Sequence, residues 1–295
     1  MNTALLTTLL GLMSATSFGV ADFFLAKSAK SVGPILGSTV VSISSAALFS
    51  LVFVILFRHD IHLSWPGIWF AVGSAFFMAS ASINFFLALE AGPVSIVSPL
   101  ASTYPLIMTL LVLAIFRIHL SPQEVGGILL TVTGVLVASG ILGIHGLSRR
   151  MRRGSVFALI TAFSWGIGFA LLAQAIRRIG WQFATLFECD IVVIVYIFAL
   201  PFIKGSEVIS LKTLRRGMSN KFVLTGSIVQ LLGGLAINLG ISRSSANGGT
   251  IITAISSCYP IITIALALKH FKEDVGLIPL AGAALGIAGI VMLSL

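Results

Sequence analysis

Charge is scarce in this sequence of 295 residues, since Asp, Glu, Lys and Arg together make up only 9% of the chain. Hydrophobic residues make up 57%, and the mean hydropathy is +1.09. Soluble domains usually carry about 25% charged residues, whereas a transmembrane helix needs roughly 20 consecutive apolar residues. The composition therefore argues against a soluble protein, leaves no room for a soluble catalytic domain, and predicts about ten spanning helices.

Cysteine is also rare, because the chain has only Cys189 and Cys258, each inside an apolar stretch. Two isolated cysteines give neither a disulfide framework nor the spacing of a metal site. The sequence shows no phosphate-binding glycine loop, no His/Cys cluster and no Ser-His-Asp arrangement. It therefore predicts a protein that is not an enzyme and that has no cofactor and no metal.

Basic residues outnumber acidic ones, 18 to 9, but they do not indicate a nucleic-acid partner. They lie in short clusters between apolar runs, as loop residues that anchor a membrane protein do. The largest cluster, Arg-Arg-Met-Arg-Arg at 149–153, divides the chain near its midpoint and is interpreted as a connector. The N-terminal apolar stretch has no convincing cleavage site, so it is predicted to be the first span. The predicted partners are the lipid bilayer and a small-molecule substrate.

Apolar runs bounded by charged residues, Pro or Gly predict an all-α membrane protein with ten transmembrane helices. The predicted spans cover residues 3–26, 34–57, 66–89, 94–116, 122–143, 154–176, 182–203, 221–241, 248–268 and 275–295.

The second half of the chain repeats the first. Residues 12–33 match residues 159–180 without gaps, and residues 91–139 match residues 246–294, carrying Tyr104-Pro105 onto Tyr259-Pro260. Two collinear blocks predict one repeat at 1–146 and a second at 147–295. Because each repeat has five spans, the second begins on the opposite side of the membrane, so the repeats are inverted. Inverted repeats are the usual basis of alternating access in carriers.

As a pattern, these residues resemble the drug/metabolite transporter superfamily, and within it the EamA-type permeases, over essentially the whole chain. The resemblance rests on the ten-span length and on motifs that occur in each half, namely Phe18-Gly19 with Trp165-Gly166, the two Tyr-Pro pairs, and the exit Phe271-Lys272-Glu273 before a glycine-rich last helix. It implies that spans three, four, eight and nine line a central cavity, that spans one and six close it, and that spans five and ten support the interface. The first half departs from the pattern, with Phe116-Arg117-Ile118-His119 where relatives often carry an acidic residue.

Two arguments about orientation disagree. The positive-inside rule places the basic loops in the cytoplasm and both termini outside. The resemblance implies that the termini are inside. In either case the expected location is the inner (plasma) membrane of the cell, as a multi-pass monomer or homodimer.

Three carboxylates fall inside predicted spans: Asp22, Glu188 and Asp190. Burying an ionised carboxylate at the centre of a spanning helix costs about 2.5–3.5 kcal/mol on insertion scales, so such residues usually have a role. We predict that the three take part in proton or cation coupling. The alternative is a simple ion pair, for example between Asp22 and Lys27.

Uncharged polar residues predict the substrate-binding surface. Asn84 and Asn238 lie at nearly equivalent places of the two repeats, and Gln230 lies two turns before Asn238 on nearly the same face. A buried amide offers donors and an acceptor to a substrate, although it can equally bond a neighbouring helix.

The fourth and ninth spans are polar and are predicted to be kinked at their prolines. They add Ser102, Tyr104, Ser256 and Tyr259 to the predicted substrate contacts. Trp165, with Phe18, is predicted to form an aromatic lid, and core packing is the alternative for all the aromatic residues.

Together these features predict a secondary transporter that exports small polar metabolites such as amino acids, with coupling to protons. One alternative is the efflux of amphipathic drugs or cations, which the acids and aromatic residues favour. A third is a non-transporting membrane scaffold, for which the polar residues would lie in separate helix seams rather than around one space.

Overall fold

The computed structural model describes residues 3–57, 63–116, 122–139, 149–203, 209–243, 252–253, 255–273 and 277–294. Within these ranges all regular structure is helical. The α-helices of the described part are α1 Thr3–Val32, α2 Pro34–Leu56, α3 Trp65–Ala91, α4 Val94–Ala101, α5 Tyr104–Phe116, α6 Pro122–Ser139, α7 Arg149–Ile179, α8 Trp181–Ala199, α9 Leu211–Met218, α10 Lys221–Arg243, α11 Pro260–Phe271 and α12 Leu277–Ser294. A 3-10 turn, Leu200–Phe202, extends α8.

Seven segments of the described chain are long and apolar enough to cross a membrane: Leu5–Val32, Pro34–Leu56, Trp65–Ala91, Val94–Leu111, Met151–Ile179, Trp181–Phe202 and Lys221–Arg243. Pro260–Phe271 and Leu280–Gly289 are shorter apolar helices. The chain is thus a multi-pass helical membrane protein, and the count of ten spans stays a prediction.

The first two helices of each repeat are joined by the same glycine turn. Gly33 separates α1 from α2 with φ 89°, and its repeat equivalent Gly180 separates α7 from α8 with φ 77°. Positive φ favours glycine because a Cβ is strained there. The two repeats therefore make this sharp turn with the same backbone conformation at an equivalent glycine.

The kink predicted at the prolines of the fourth span, residues 94–116, takes the form of a short break between two helices. The chain breaks at Ser102 and Thr103, between α4 and α5. The two hydroxyls donate to carbonyls of the preceding turn, Ser102 to Pro99 O at 2.9 Å and Thr103 to Leu100 O at 2.8 Å. Because Pro105 lacks an N–H, it cannot continue the ladder of hydrogen bonds. The equivalent segment turns at 257–259, and α11 begins at Pro260.

The basic loop predicted between the seventh and eighth spans contains a helix that the sequence analysis missed. Ser210 and Thr213 form a reciprocal capping box at the start of α9. The helix carries the basic side chains of Lys212, Arg215 and Arg216. It packs against α2 and α10.

Equivalent helices of the two repeats run in opposite directions. Ser50 of α2 contacts Asp190 of α8, and nearer the end of α2 the ring of Phe53 lies 6.3 Å from that of Phe183, so α2 and α8 are antiparallel. In α6 and α12, Gly126 lies against Met292 and Gly134 against Gly286, which again is antiparallel. The inverted arrangement predicted from the odd number of spans is therefore confirmed.

The repeats interlock rather than lie side by side. The most extensive helix contacts are between α3 and α7, α6 and α12, and α1 and α10, and all three cross between repeats. At the contact of α1 with α10, Gly233 faces the ring of Phe18, and at the contact of α7 with α3, Gly168 faces Met78. Each repeat's first helix thus packs against the third helix of the other.

Two buried apolar clusters lie at opposite ends of the bundle. One contains Leu25, Phe86, Leu89 and Val223, from the end of α1, the end of α3 and the start of α10. The other contains Leu10, Ala71, Ile176 and Ile241, from the opposite ends of the same helices and of α7. The polar side chains discussed below lie between these clusters.

Most of the described basic residues lie at the end of the bundle where α1 finishes. They are Lys27, Lys30, Arg152, Arg153, Lys212, Arg215, Arg216, Lys221, Lys269 and Lys272, against Arg177, Arg178 and Arg243 at the other end. The positive-inside rule applied to this distribution predicts that the end of the bundle where α1 finishes is cytoplasmic.

The contact between α6 and α12 gives a test of the packing. A Cβ added at Gly134 would lie 2.7 Å from Gly282 O and against the backbone of Gly286, whereas a Cβ at Gly286 meets nothing within 4 Å. Overpacking costs about 1–3 kcal/mol. We expect Gly134→Ala to lower the apparent melting temperature of the purified protein in detergent, and Gly286→Ala to leave it unchanged. Equal melting temperatures for the two variants would contradict the close approach.

Candidate substrate cavity

A cavity of about 180 Å³ lies between the two apolar clusters. Helices α1, α2, α3, α7, α8 and α10 supply most of its wall. Tyr104 and Tyr259 reach it from the two breaks described above. Both repeats therefore contribute to a single space at their interface.

Asp22 is the most deeply buried acid of the cavity wall, with 4% of its surface exposed. Ser98 donates a hydrogen bond of 2.5 Å to its carboxylate, and the hydroxyl of Thr263 lies 3.5 Å from the same oxygen. The predicted alternative was an ion pair with Lys27. Lys27 instead places its Nζ over the ring of Phe23, at 4.3 Å. Within the part of the chain that the structure describes, the contacts of Asp22 are hydroxyls and not cations.

Two amide oxygens of residues in the wall are buried and have no hydrogen-bond partner among the described residues. Asn238 donates through Nδ2 to Thr185 Oγ1 at 2.8 Å, which leaves its Oδ1 unbonded. Gln230 Oε1 is likewise buried without a hydrogen bond to any residue that the structure describes. Leaving a buried polar group unpaired costs about 1–3 kcal/mol. Both residues belong to the cavity wall, two helical turns apart on α10.

The two tyrosines make equivalent hydrogen bonds across the repeats. Tyr104 donates to Thr253 O at 3.2 Å, and Tyr259 donates to Ser98 O at 3.4 Å. Ser98 and Thr253 occupy the same position in the two repeats. Each tyrosine therefore ties the break in its own repeat to the segment before the break in the other.

Aromatic rings form much of the remaining wall. Tyr104 stacks on Phe169 with 5.0 Å between ring centroids, and it meets Trp165 edge-on at 6.1 Å. On the opposite side Phe18 meets Tyr259 edge-on, also at 6.1 Å. The lid prediction concerned Phe18 and Trp165, and both face the cavity.

Seven of the residues predicted for the site line this one cavity: Asp22, Tyr104, Trp165, Glu188, Gln230, Asn238 and Tyr259. The other four lie elsewhere. Asn84 donates to Ser80 O in its own helix, and Ser102 to Pro99 O. Ser256 bonds the hydroxyl of Ser14, and Asp190 lies exposed beside Ser50.

Helix geometry explains these separations. Glu188 and Asp190 are two positions apart, and such residues do not share a helix face. Asn84 is one residue out of register with Asn238 under the repeat match, and one residue rotates a side chain by about 100°. Glu188 itself faces the cavity, and the described residues offer it no hydrogen-bond partner.

Helices α2 and α8 contribute more of the wall than the sequence analysis expected. Ser42 and Ser45 of α2 and Thr185 of α8 face the cavity, as does Ser82 of α3. Ser42 and Ser45 are three residues apart on α2, and this spacing indicates that they share one face of the helix. Among the described residues, no group of three His, Cys, Asp or Glu side chains could hold a metal.

Glu273 fastens the two repeats together at the basic end of the bundle. Its carboxylate accepts hydrogen bonds from the backbone N–H of Val94 at 2.8 Å, from that of Ser95 at 3.0 Å, and from the Ser95 hydroxyl at 2.6 Å. A carboxylate is favourable at a helix N-terminus because the unpaired N–H groups there carry partial positive charge. Glu273, the second residue after α11, thus caps α4 of the other repeat.

Inverted repeats that enclose a cavity with buried polar side chains at their interface are the architecture of a secondary carrier. A family model described as the EamA-like transporter family matches residues 5–140 and 152–295. The chain belongs to this family, which confirms the resemblance to the drug/metabolite transporter superfamily. Membership points to a transporter rather than an enzyme.

Structural comparison agrees on the fold. Twenty-eight chains of solved structures match. One is a crystal structure described only as that of a protein, with a TM-score of 0.63 and 18% identity, and the match covers 98% of this chain and 96% of that one. At this identity the likeness concerns the fold alone. No curated protein matches the chain.

The Glu273 cap makes a second test. Hydrogen bonds to a charged group contribute about 1.5–3 kcal/mol each, and loss of a helix cap costs about 0.5–2 kcal/mol. We expect Glu273→Ala to destabilise the folded protein by about 1–3 kcal/mol and Glu273→Gln, which keeps one acceptor, to cost less. Thermal unfolding in detergent measures both, with Lys269→Ala as the exposed control. A Glu273→Ala protein as stable as that control would show that the cap contributes nothing.

Proposed function

We propose that this protein is a secondary transporter that carries a small polar metabolite through the central cavity by alternating access. The observation that carries the proposal is the cavity itself, with buried Asp22 and the unbonded oxygens of Gln230 and Asn238 in its wall. Polar groups inside a membrane protein are costly and usually mark a solute pathway. Ten spans and an inner-membrane location belong to this proposal.

Alternating access requires two arrangements of similar energy. Inverted repeats supply them, because the contacts of one half can be exchanged with those of the other. The contacts of α1 with α10 and of α7 with α3 are such an exchangeable pair. Rocking of the interlocked halves would then open the cavity at one end while closing it at the other.

Clustering of the polar residues argues against a scaffold without transport. A scaffold would place Asn84, Asn238, Gln230, Tyr104 and Tyr259 in separate helix seams. Four of these five line one space, and Asn84 instead donates to Ser80 O in its own helix. Small ligand sites usually span about 300–1,000 Å³, and the cavity volume of about 180 Å³ is below that range. The size favours a small metabolite over a bulky amphipathic drug.

For coupling, the proposal assigns proton binding to Asp22 and Glu188. Both face the cavity, so a proton on either carboxyl and a solute in the cavity can influence each other. Asp190 is exposed on the outside of α8 beside Ser50 and has no part in the proposed pathway. The proposed direction is export, driven by proton entry.

Flux in proteoliposomes tests this function. The purified protein would be reconstituted with a pH-sensitive dye inside, and a panel of amino acids, amines and sugars would be added outside. The expected result is a proton movement that depends on both the protein and one class of solute. If no solute in the panel moves protons or accumulates under a pH gradient, the transport proposal fails.

Coupling is tested by amide variants of the acids. Asp22→Asn and Glu188→Gln remove the titrating carboxyl with little change in shape, and we expect each to abolish accumulation driven by the pH gradient while the protein still folds. Asp190→Asn is the matched control and should behave as the wild type. Wild-type accumulation in both cavity variants would remove these carboxyls from the coupling step.

A further inference from the structure

Resting on the transport function above, we propose that the cavity binds a small arylalkyl amine, with the ammonium group at Asp22 and the aromatic body against Tyr104, Trp165 and Phe169. The proposal rests on three features: the two ends of the cavity differ, the acid at one end accepts hydrogen bonds, and the wall lacks a cationic partner for a ligand carboxylate.

The cavity is polarised because the repeats diverge at matched positions. Under the repeat match, Asp22 is equivalent to Phe169, and Thr263 is equivalent to Met108. At one end Ser98 and Thr263 surround the Asp22 carboxylate. At the other end the same places hold an aromatic ring and a thioether, and Phe169 stacks on Tyr104. A solute that fits both ends is polar at one end and apolar at the other.

At the Asp22 end the ionised carboxylate accepts hydrogen bonds and offers none. An ammonium group offers three donors and no acceptor, so it complements this carboxylate.

Charge excludes the closest competing ligands. Among the residues that line the cavity in the described structure there is no Lys, Arg or His, whereas two carboxylates, Asp22 and Glu188, are present. Burying a charge without a partner is strongly unfavourable. A bound amino acid would have a carboxylate without a cationic partner. The corresponding amine has no carboxylate and so avoids this cost.

Aromatic faces suit the rest of such a solute. The ring of Tyr104 lies 5.0 Å from that of Phe169 and 6.1 Å from that of Trp165, measured between centroids. Stacked and edge-on ring contacts contribute about 0.5–1.5 kcal/mol beyond burial. Rings near a bound ammonium add cation–π attraction. Phe18 and Tyr259, next to the Asp22 end, are placed for the second role.

The decisive experiment compares solutes that differ by one group. Binding of tritiated phenethylamine to the purified wild-type protein would be measured, with phenylalanine and 2-phenylethanol as competitors. We expect phenethylamine to bind at least about tenfold more tightly than either, a difference of about 1.4 kcal/mol. Phenylalanine adds the carboxylate and 2-phenylethanol lacks the cation, so the comparison isolates each argument.

Two variants locate the two ends of the ligand. Asp22→Asn keeps an oxygen for Ser98 and removes the charge, and it should reduce phenethylamine affinity about tenfold or more without changing that for 2-phenylethanol. Phe169→Leu should weaken phenethylamine by about two- to tenfold and leave butylamine unaffected. Asp190→Asn is the control for charge on the protein surface.

The outcomes separate this inference from the transport function. If phenylalanine binds as tightly as phenethylamine and is transported, the amine inference is overturned and the transporter stands. If phenethylamine does not bind at all, the inference is also overturned, whatever the flux panel shows. If no solute moves in that panel, the transport function fails by itself. These wild-type comparisons remain decisive even where Asp22→Asn fails to fold.

Discussion

In the hydrocarbon interior of a bilayer every backbone polar group needs a partner within the protein, and the centre of this molecule depends on that constraint. Both central segments leave helical geometry at midspan, before Pro105 and before Pro260. At the first break, the hydroxyls of Ser102 and Thr103 bond carbonyls of the preceding turn. Across the repeats, Tyr104 and Tyr259 donate to Thr253 O and Ser98 O. These bonds give carbonyls next to both breaks a partner inside the protein, beside the wall of the cavity.

Most of the architecture could be predicted from the sequence because it was encoded twice. The antiparallel pairing of α6 and α12 follows from the internal match and an odd number of spans, and the matched Tyr-Pro pairs mark where the fourth and ninth spans leave helical geometry. The turns at Gly33 and Gly180 were not predicted, although the two glycines coincide in the repeat match. The helix α9 was missed because its eight residues carry a capping box and basic side chains rather than an apolar run. A short interfacial helix of this kind resembles a polar loop when only hydropathy is read.

The site was only partly predictable, for a geometric reason. Composition identified which side chains are costly inside a membrane, but not how each helix is rotated about its axis. Glu188 and Asp190 were equally plausible in sequence, yet one faces the cavity and the other the outside. Asn238 lines the cavity while Asn84 bonds its own helix, because their repeat registers differ by one residue. Rotation is set by packing of whole helices, for which no local sequence signal exists.

The two repeats are alike in backbone and unlike in chemistry, and the differences bear on how the molecule would move. Identical repeats would give two inward- and outward-open arrangements of equal energy, exchanged by symmetry. Here Glu273 caps α4 at the basic end, while the equivalent residue of the first repeat is Ile118, which has no side-chain acceptor. Likewise, the residue of the second repeat that is equivalent to Asp22 is Phe169, which has no carboxylate. Under the proposed alternating access, the exchange of contacts would therefore join two states of unequal energy, because Glu273 is at one end of the bundle and Asp22 is at one end of the cavity. A bound cation or proton would act on the side that carries Asp22, so the solute would bias an equilibrium that identical repeats would leave balanced.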